Sequence, residues 1–379
     1  MIGLIVNPVA GVGGPAGLGG SDGGDVQRRA GERGARPRAT ERAAAALAVV
    51  ASARRHERIV TAAGAMGADA VRAAGLEAIV VWHPRSPTFP TDTTAAARAL
   101  ADVGVELVLF AGGDGTARDV AAGLPSSAVA LGIPAGVKMY SPVFAVGPSA
   151  AGALAAAWID EGGLPTVDRE VLDVDEAQLR RARVEPRLYA TIRVPYRAGR
   201  TQARKAATPA DERAAMRLAA RGAVSRLQPG VRYLLGPGGT MAEVARELGV
   251  DKTLLGVDVV LDGRVVVAGA SEQELLDQVG SGPAQAIVSI IGGQGFLLGR
   301  GNQQLSARVL DAIGDDPVLA VAPEQKLIDL EGRPLLVDTG DARVDARLAG
   351  FVRVVTGPST TSVYPVQAPE NEGAADHAA

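Results

Sequence analysis

Short apolar runs, separated by alanine-rich and glycine-rich stretches, organise this chain. Ile2, Leu4, Ile5 and Val6 stand in one continuous apolar run of the kind a buried strand makes. Similar runs at 58–61, 78–81, 106–110 and 128–132 predict four more strands. The stretches at 43–54, 67–74, 93–103 and 116–123 have helical composition. Strands alternating with helices imply parallel βαβ units, so residues 1–165 are expected to form an open α/β domain. The rhythm then loosens into a strand at 188–194, a polar stretch at 202–207 and a helix at 211–220. It resumes with a strand at 233–235 and a helix at 241–248, then an apolar run at 286–291 and a helix at 304–313. Further short apolar runs stand at 318–321 and 335–337. Residues 166–366 are therefore expected to form a second, mixed α/β domain. The small polar residues 367–379 are expected to be a disordered tail.

Composition narrows the chemistry. The chain of 379 residues has no cysteine, which excludes disulfides, thiolate nucleophiles and thiolate-bound zinc. With only His56, His83 and His377, a multi-histidine metal centre is not expected. A formal net charge of −3 and 3% aromatic residues argue against nucleic acid as a partner. No run of 18 consecutive apolar residues occurs, and the opening apolar run is too short for a signal peptide. The expectation is a cytoplasmic protein without a membrane partner, with small-molecule substrates. A homo-oligomer is left open. Lysine stands only at 138, 205, 252 and 326, so Lys138 in a glycine-flanked loop attracts attention.

The glycines concentrate in loops that follow strands. In Gly112-Gly113-Asp114-Gly115-Thr116, an apolar run leads into the loop and a helix leaves it. Glycines let backbone N–H groups surround phosphate oxygens, and a helix N-terminus favours an anion. Thr116 can cap that helix or touch phosphate. A carboxylate at such a place suits metal binding or accepting a proton from an attacking hydroxyl, which marks Asp114 as the candidate catalytic base. The plainer reading is a tight turn in which Asp114 is held by backbone. A second pattern, Gly11-Val12-Gly13-Gly14-Pro15-Ala16, fits a dinucleotide fingerprint. Pro15 and the glycines after it oppose the helix that the fingerprint requires, so a flexible phosphate-facing loop fits better.

Gly112-Gly113-Asp114-Gly115-Thr116 is similar to the hallmark of the superfamily that contains NAD kinases, diacylglycerol kinases and related phosphofructokinases. Asn7-Pro8-Val9-Ala10-Gly11 resembles the opening strand and loop of the same superfamily. The likeness is closer to one branch, described as ATP-NAD kinase family proteins, some of which are encoded with acetoin-catabolism enzymes. Residues 7–14, 112–120, 132–141, 235–240, 254–258, 291–304 and 337–341 carry it, and together it spans about residues 2–357. The resemblance implies a Rossmann-like N-terminal lobe with the active site in a cleft beside a second lobe. It implies ATP with Mg²⁺ (or Mn²⁺), and a phosphoryl group passed to a hydroxyl, foremost the 2′-hydroxyl of NAD. Donor phosphates would be held by Asn7, Gly112, Gly113, Gly115 and Thr116, with Lys138 as a point charge. The metal's ligands stay unassigned.

Three further places complete the candidate site. Gly236-Pro237-Gly238-Gly239-Thr240 repeats the form of the first loop without an acid, which suggests that Gly238, Gly239 and Thr240 bind nucleotide phosphate; a helix-capping turn is the alternative. Arg300, Asn302 and Gln303 offer a guanidinium and amides among glycines, and are read as the acceptor site. Asp341, near Asp338, is added to the acceptor set, with turn capping as the alternative. Neither an Asn-Glu pair nor a Thr/Ser-Gly-Ser/Thr-Ala-Tyr segment, which hold NAD in NAD kinases, stands in residues 166–366. The alternatives are therefore a kinase for another small hydroxylated metabolite and a non-catalytic nucleotide-binding regulator.

Overall fold

The computed structural model describes residues 1–18, 24–54, 56–136, 139–173, 187–197, 210–291 and 294–368. The chain divides into two compact units: Met1–Val12 with Arg36–Arg204, and Gly13–Ala35 with Lys205–Ala379.

The first unit is built on a seven-stranded sheet of order β3-β2-β1-β4-β5-β7-β6. Its strands are β1 (Ile2–Val6), β2 (Arg58–Ala62), β3 (Glu77–Trp82), β4 (Leu107–Gly112), β5 (Val129–Pro134), β6 (Thr166–Asp173) and β7 (Arg187–Pro195). All neighbours pair in parallel except β6 and β7, which form an antiparallel pair. β1 and β4 are buried along their whole length, as parallel strands covered on both faces must be. The helices Ala39–Ala53 and Pro148–Glu161 pack together, and the helices Pro90–Asp102 and Asp114–Gly123 form the other pair. Small residues set both contacts. A Cβ on Gly152 would come within 2.2 Å of the Ala46 carbonyl oxygen, and one on Gly123 within 2.2 Å of that of Thr94. The boundary expected at residue 165 is displaced, because β6 and β7 extend the first sheet and carry this unit on to Arg204.

The second unit holds a nine-stranded sheet of order β10-β9-β8-β11-β13-β15-β16-β14-β12. The strands are β8 (Arg232–Leu235), β9 (Val257–Leu261), β10 (Arg264–Ala270), β11 (Ala284–Val288), β12 (Phe296–Leu298), β13 (Val318–Val321), β14 (Leu335–Val337), β15 (Gly350–Val355) and β16 (Thr361–Gln367). β8, β11, β13 and β15 are parallel neighbours. Alternate residues face opposite cores, as the period of a strand dictates. Leu234, Ala286, Val288, Ala320 and Val354 pack with Leu275, Val309, Leu310 and Val344 of three helices. Leu235, Ile287, Val321 and Val355 pack on the other face with Ala219, Ala220 and Ala223 of the helix Ala210–Val224, and with Met241, Val244 and Ala245 of the helix Gly239–Leu248.

The glycine-rich stretch after β1 contributes residues 13–35 to this second unit. Turns rather than a helix follow Gly11 as far as residue 17, and the first helix among the described residues is Gly24–Glu32. The expected tail is shorter than drawn, because Gln367 closes β16 and Ala368 is buried. The remainder, 369–379, and Lys138 lie outside the described residues. Among the described residues no helix is long and apolar enough to cross a membrane.

Candidate active site

In the first unit β1 and β4 are neighbours, and the chain leaves them toward opposite faces of the sheet. An open parallel sheet binds ligands at such a switch point, beyond the carboxyl ends of the strands. Asn7 follows β1; Gly112 closes β4, and Gly113 to Thr116 follow it. The two loops are tied directly: Asn7 Nδ2 donates to Thr116 Oγ1 at 3.0 Å, and the Asn7 N–H donates to the Ala111 carbonyl at 3.0 Å. Asn7 Oδ1 accepts the Val9 N–H at 3.2 Å, which fixes the amide's orientation.

The glycines act by letting backbones approach. A Cβ on Gly112 would lie 2.2 Å from Thr116 Oγ1, and one on Gly136 would lie 2.7 Å from the Gly113 Cα. Gly11 has φ +81°, and a Cβ there would sit 2.3 Å from the Ala135 carbonyl oxygen. The loops after β1, β4 and β5 are thus stacked too closely for side chains. The expectation that these glycines face phosphate needs this amendment: at 112 and 113 the missing side chain serves the packing of the loops. That packing places Gly113 as the cap of the helix Asp114–Gly123, with no side chain bonded over its N-terminus. The first-turn N–H groups of a helix have no intrahelical acceptor, and a helix N-terminus of this kind favours an anion.

Asp114 is buried, and its carboxylate accepts the Tyr140 N–H at 2.6 Å and the Ser141 N–H at 3.1 Å. The plainer reading of this residue, an acid held by backbone, therefore describes its local contacts. These two N–H donors fix the orientation of the carboxylate. Ser141 is anchored in turn: its Oγ donates to the Leu172 carbonyl at 2.8 Å and accepts the Leu172 N–H at 2.9 Å. Burial, and then the Asp114 charge, push the Tyr140 phenol up to about 12, so it stays protonated beside the carboxylate. Behind the loop, Arg42 Nε donates to the Pro134 carbonyl, and the Phe110 and Phe144 rings meet edge to face with centroids 5.5 Å apart.

Among the described residues no group of three or more His, Cys, Asp or Glu side chains could hold a metal. One oriented carboxylate fits Mg²⁺, which takes one or two carboxylates and draws its other ligands from phosphate and water.

The expected acceptor residues lie in the second unit, and most of their polar atoms serve the fold. Arg300 Nη1 pairs with Asp338 Oδ2 at 2.8 Å and donates to the Gly299 carbonyl at 3.0 Å. Both side chains are about 95% buried, and the guanidinium lies 4.2 Å from the Phe296 ring centroid. Asn302 closes its own turn, accepting the Gly299 N–H at 2.8 Å and donating to the Leu297 carbonyl at 3.0 Å. Gln303 Nε2 donates to the Gly299 carbonyl at 3.2 Å. Asp341 caps the helix Ala342–Leu348, accepting the Arg343 and Val344 N–H groups at 3.0 and 3.1 Å. The capping alternative is thus what the geometry displays at Asp341. Gly238, Gly239 and Thr240 form the start of the helix Gly239–Leu248 after β8.

A buried pair went unremarked in the sequence. Asp258 is fully buried and accepts the Thr253 N–H, the Thr253 hydroxyl and the Gly269 N–H, each at 2.6 Å. Lys252 Nζ stands 3.6 Å from it. Burial lowers the Lys252 ammonium to about 8, against the opposing pull of Asp258. An isolated lysine among few was the available signal.

The class of the first unit is an open parallel α/β sheet whose switch point carries a glycine loop, a helix N-terminus without a side-chain cap and one oriented buried carboxylate, features that suit a phosphate group. The family follows from comparison. The ATP-NAD kinase N-terminal domain matches residues 2–163, and the ATP-NAD kinase C-terminal domain matches residues 229–366. The chain belongs to the ATP-NAD kinase family, and is a kinase that phosphorylates a hydroxyl. Comparison with curated proteins and with solved structures finds no match.

Proposed function

We propose that the protein transfers the terminal phosphoryl group of ATP to a hydroxyl of a small molecule, with the 2′-hydroxyl of NAD as the first acceptor to test. The observation that carries this reading is Asp114: a buried carboxylate, fixed by two backbone N–H groups, in the first turn of the helix that follows the glycine loop. Gly113, Gly115 and Thr116 would present the N–H groups of that turn to the donor phosphates, with Thr116 held by Asn7. Mg²⁺, when bound with the nucleotide, would neutralise phosphate charge. Asp114 would accept the proton of the hydroxyl as its oxygen attacks phosphorus and the bond to ADP breaks. Phosphoryl transfer asks mainly for positioning and charge stabilisation, which suits a site of backbone donors and one acid.

A second acceptor is favoured by one observation. Arg300, Asn302 and Asp341 are engaged in ion pairing, turn closure and helix capping, which weakens the case for a ready-made NAD pocket at those residues. The test is incubation of the full chain with ATP, Mg²⁺ and NAD, followed by chromatography of the products. NADP with ADP supports the reading. ADP formed only with another hydroxylated acceptor transfers the activity to that metabolite. Donor binding without ADP from any acceptor supports a regulator.

A further inference from the structure

The second unit has a switch point of its own. β8 and β11 are parallel neighbours, and the Gly236 N–H donates to the Ile287 carbonyl at 2.8 Å where they end. The chain leaves β8 for the helix Gly239–Leu248 on one face of the sheet, whereas after β11 it crosses to β12 at the far edge before it reaches the helix Ala307–Ile313 on the other face. A crevice between two such loops is where open α/β sheets take ligands. We propose that this place, formed by Gly238, Gly239 and Thr240 with Ser289 across from them, binds a phosphate or diphosphate group of a small metabolite.

Three observations converge. The helix Gly239–Leu248 begins at Gly238, which has φ +104°, and no side chain caps it. The first helical bond of this turn runs from the Ala242 N–H to the Gly238 carbonyl at 3.0 Å, so the N–H groups of residues 239, 240 and 241 lie ahead of it. Next, the loop is open where the first unit's loop is packed. A Cβ on Gly238 would meet nothing within 4 Å, and one on Gly239 would meet only Met216 Sδ at 3.8 Å. Finally, the Thr240 hydroxyl, 1% exposed and in the first turn of that helix, has no hydrogen-bond partner, and neither has the buried Ser289 Oγ at the end of β11. A buried hydroxyl without a partner carries a desolvation penalty that a bound oxyanion would relieve. Two hydroxyls and a run of N–H groups, with no acid among these four residues, make a donor set for phosphate oxygens. The loop is held in place from behind: the Gly238 N–H donates to the Leu254 carbonyl at 3.2 Å, on the segment clamped by Lys252 and Asp258.

This inference stands apart from phosphoryl transfer, and a local readout separates the two. Amide hydrogen exchange of the full chain is followed with and without inorganic pyrophosphate, and in a parallel arm with ADP. Slowed exchange at 236–242 is expected in the pyrophosphate arm. The same slowing with ADP assigns the group to a nucleotide; slowing by pyrophosphate alone assigns it to a free or non-nucleotide diphosphate. Gly239→Asp places a carboxylate where the anion would sit, in a helix position that favours acids and so preserves the fold. It is expected to abolish protection at 236–242 and leave exchange at 112–116 unchanged. Thr240→Val keeps the shape and removes the orphan hydroxyl; it is expected to hold or raise the melting temperature and to weaken pyrophosphate binding by about tenfold or more. Absence of protection at 236–242 at saturating pyrophosphate, or its persistence in Gly239→Asp, overturns the proposal. So does a lowered melting temperature in Thr240→Val with unchanged binding.

Discussion

Arg300 decides whether the polar loop of the second unit is a ligand contact or a strut. Its guanidinium and the Asp338 carboxylate meet at 2.8 Å, with side chains 4% and 5% exposed. Replacing Arg300 by Met leaves that carboxylate buried without its cation, a change that costs about 3–5 kcal/mol when one partner of a buried pair is removed. Loss of the cation's stacking on Phe296, at 4.2 Å, adds about 1 kcal/mol. Asp338→Leu, which leaves the guanidinium buried without its anion, should cost a comparable amount from the other side. Residues that touch are not additive, so the double variant Arg300→Met/Asp338→Leu should lose clearly less than the sum of the two singles. The assay is urea denaturation of the four proteins, followed by far-ultraviolet circular dichroism, with KM for donor and acceptor measured in parallel. Single variants that lose less than about 1 kcal/mol, while the acceptor KM rises tenfold or more, would make Arg300 a ligand contact and not a strut.

Two other outcomes follow from the same geometry. Gly136→Ala puts a Cβ 2.7 Å from the Gly113 Cα, so it should cost about 1–3 kcal/mol of stability and weaken donor binding, read by thermal unfolding and nucleotide titration; unchanged values in both would mean that the loops are not in contact. Lys252 offers a pH signature. Its ammonium sits near 8 in the folded chain against an ordinary 10.5, so between those values the unfolded state binds more protons and stability should rise with pH. Below 8 the lysine is charged in both states and the contribution is flat. Lys252→Met should remove the rise, and a wild-type denaturation midpoint that is level or falling from pH 8 to 10 would contradict the buried position.

The first sheet was legible because its strands are continuous apolar runs. Ile2–Val6 is both the predicted strand and the observed one, since a parallel strand buried on both faces has no polar positions to confuse its limits. The helix Pro148–Glu161 escaped notice because alanine and glycine give it little amphipathic contrast, although Pro148 at its start and Gly162 at its left-handed end were readable stops. The hairpin of β9 and β10 likewise announces itself in Asp262-Gly263, with φ of 47° and 73°, and the helix Glu272–Gly280 in its Ser271 to Glu274 capping box. Local chemistry such as the Gly112 and Thr116 contact was within reach of sequence. The Arg300 pair with Asp338 was not, because 38 residues separate the partners and only the pairing of β12 with β14 brings their loops together. Asp114 falls between these cases: its loop is visible in sequence, whereas the N–H groups of Tyr140 and Ser141 that orient it come from a different strand's connection.

The role of Asp114 as proton acceptor is tested by the turnover of Asp114→Asn beside its affinity for ATP with Mg²⁺. Amide for carboxylate keeps the shape and removes the proton acceptor. If Asp114 is the base, the nucleotide still binds while turnover with the best acceptor falls by about 10²–10⁴, the usual contribution of a general base. Turnover at the wild-type rate, with donor binding intact, would contradict it.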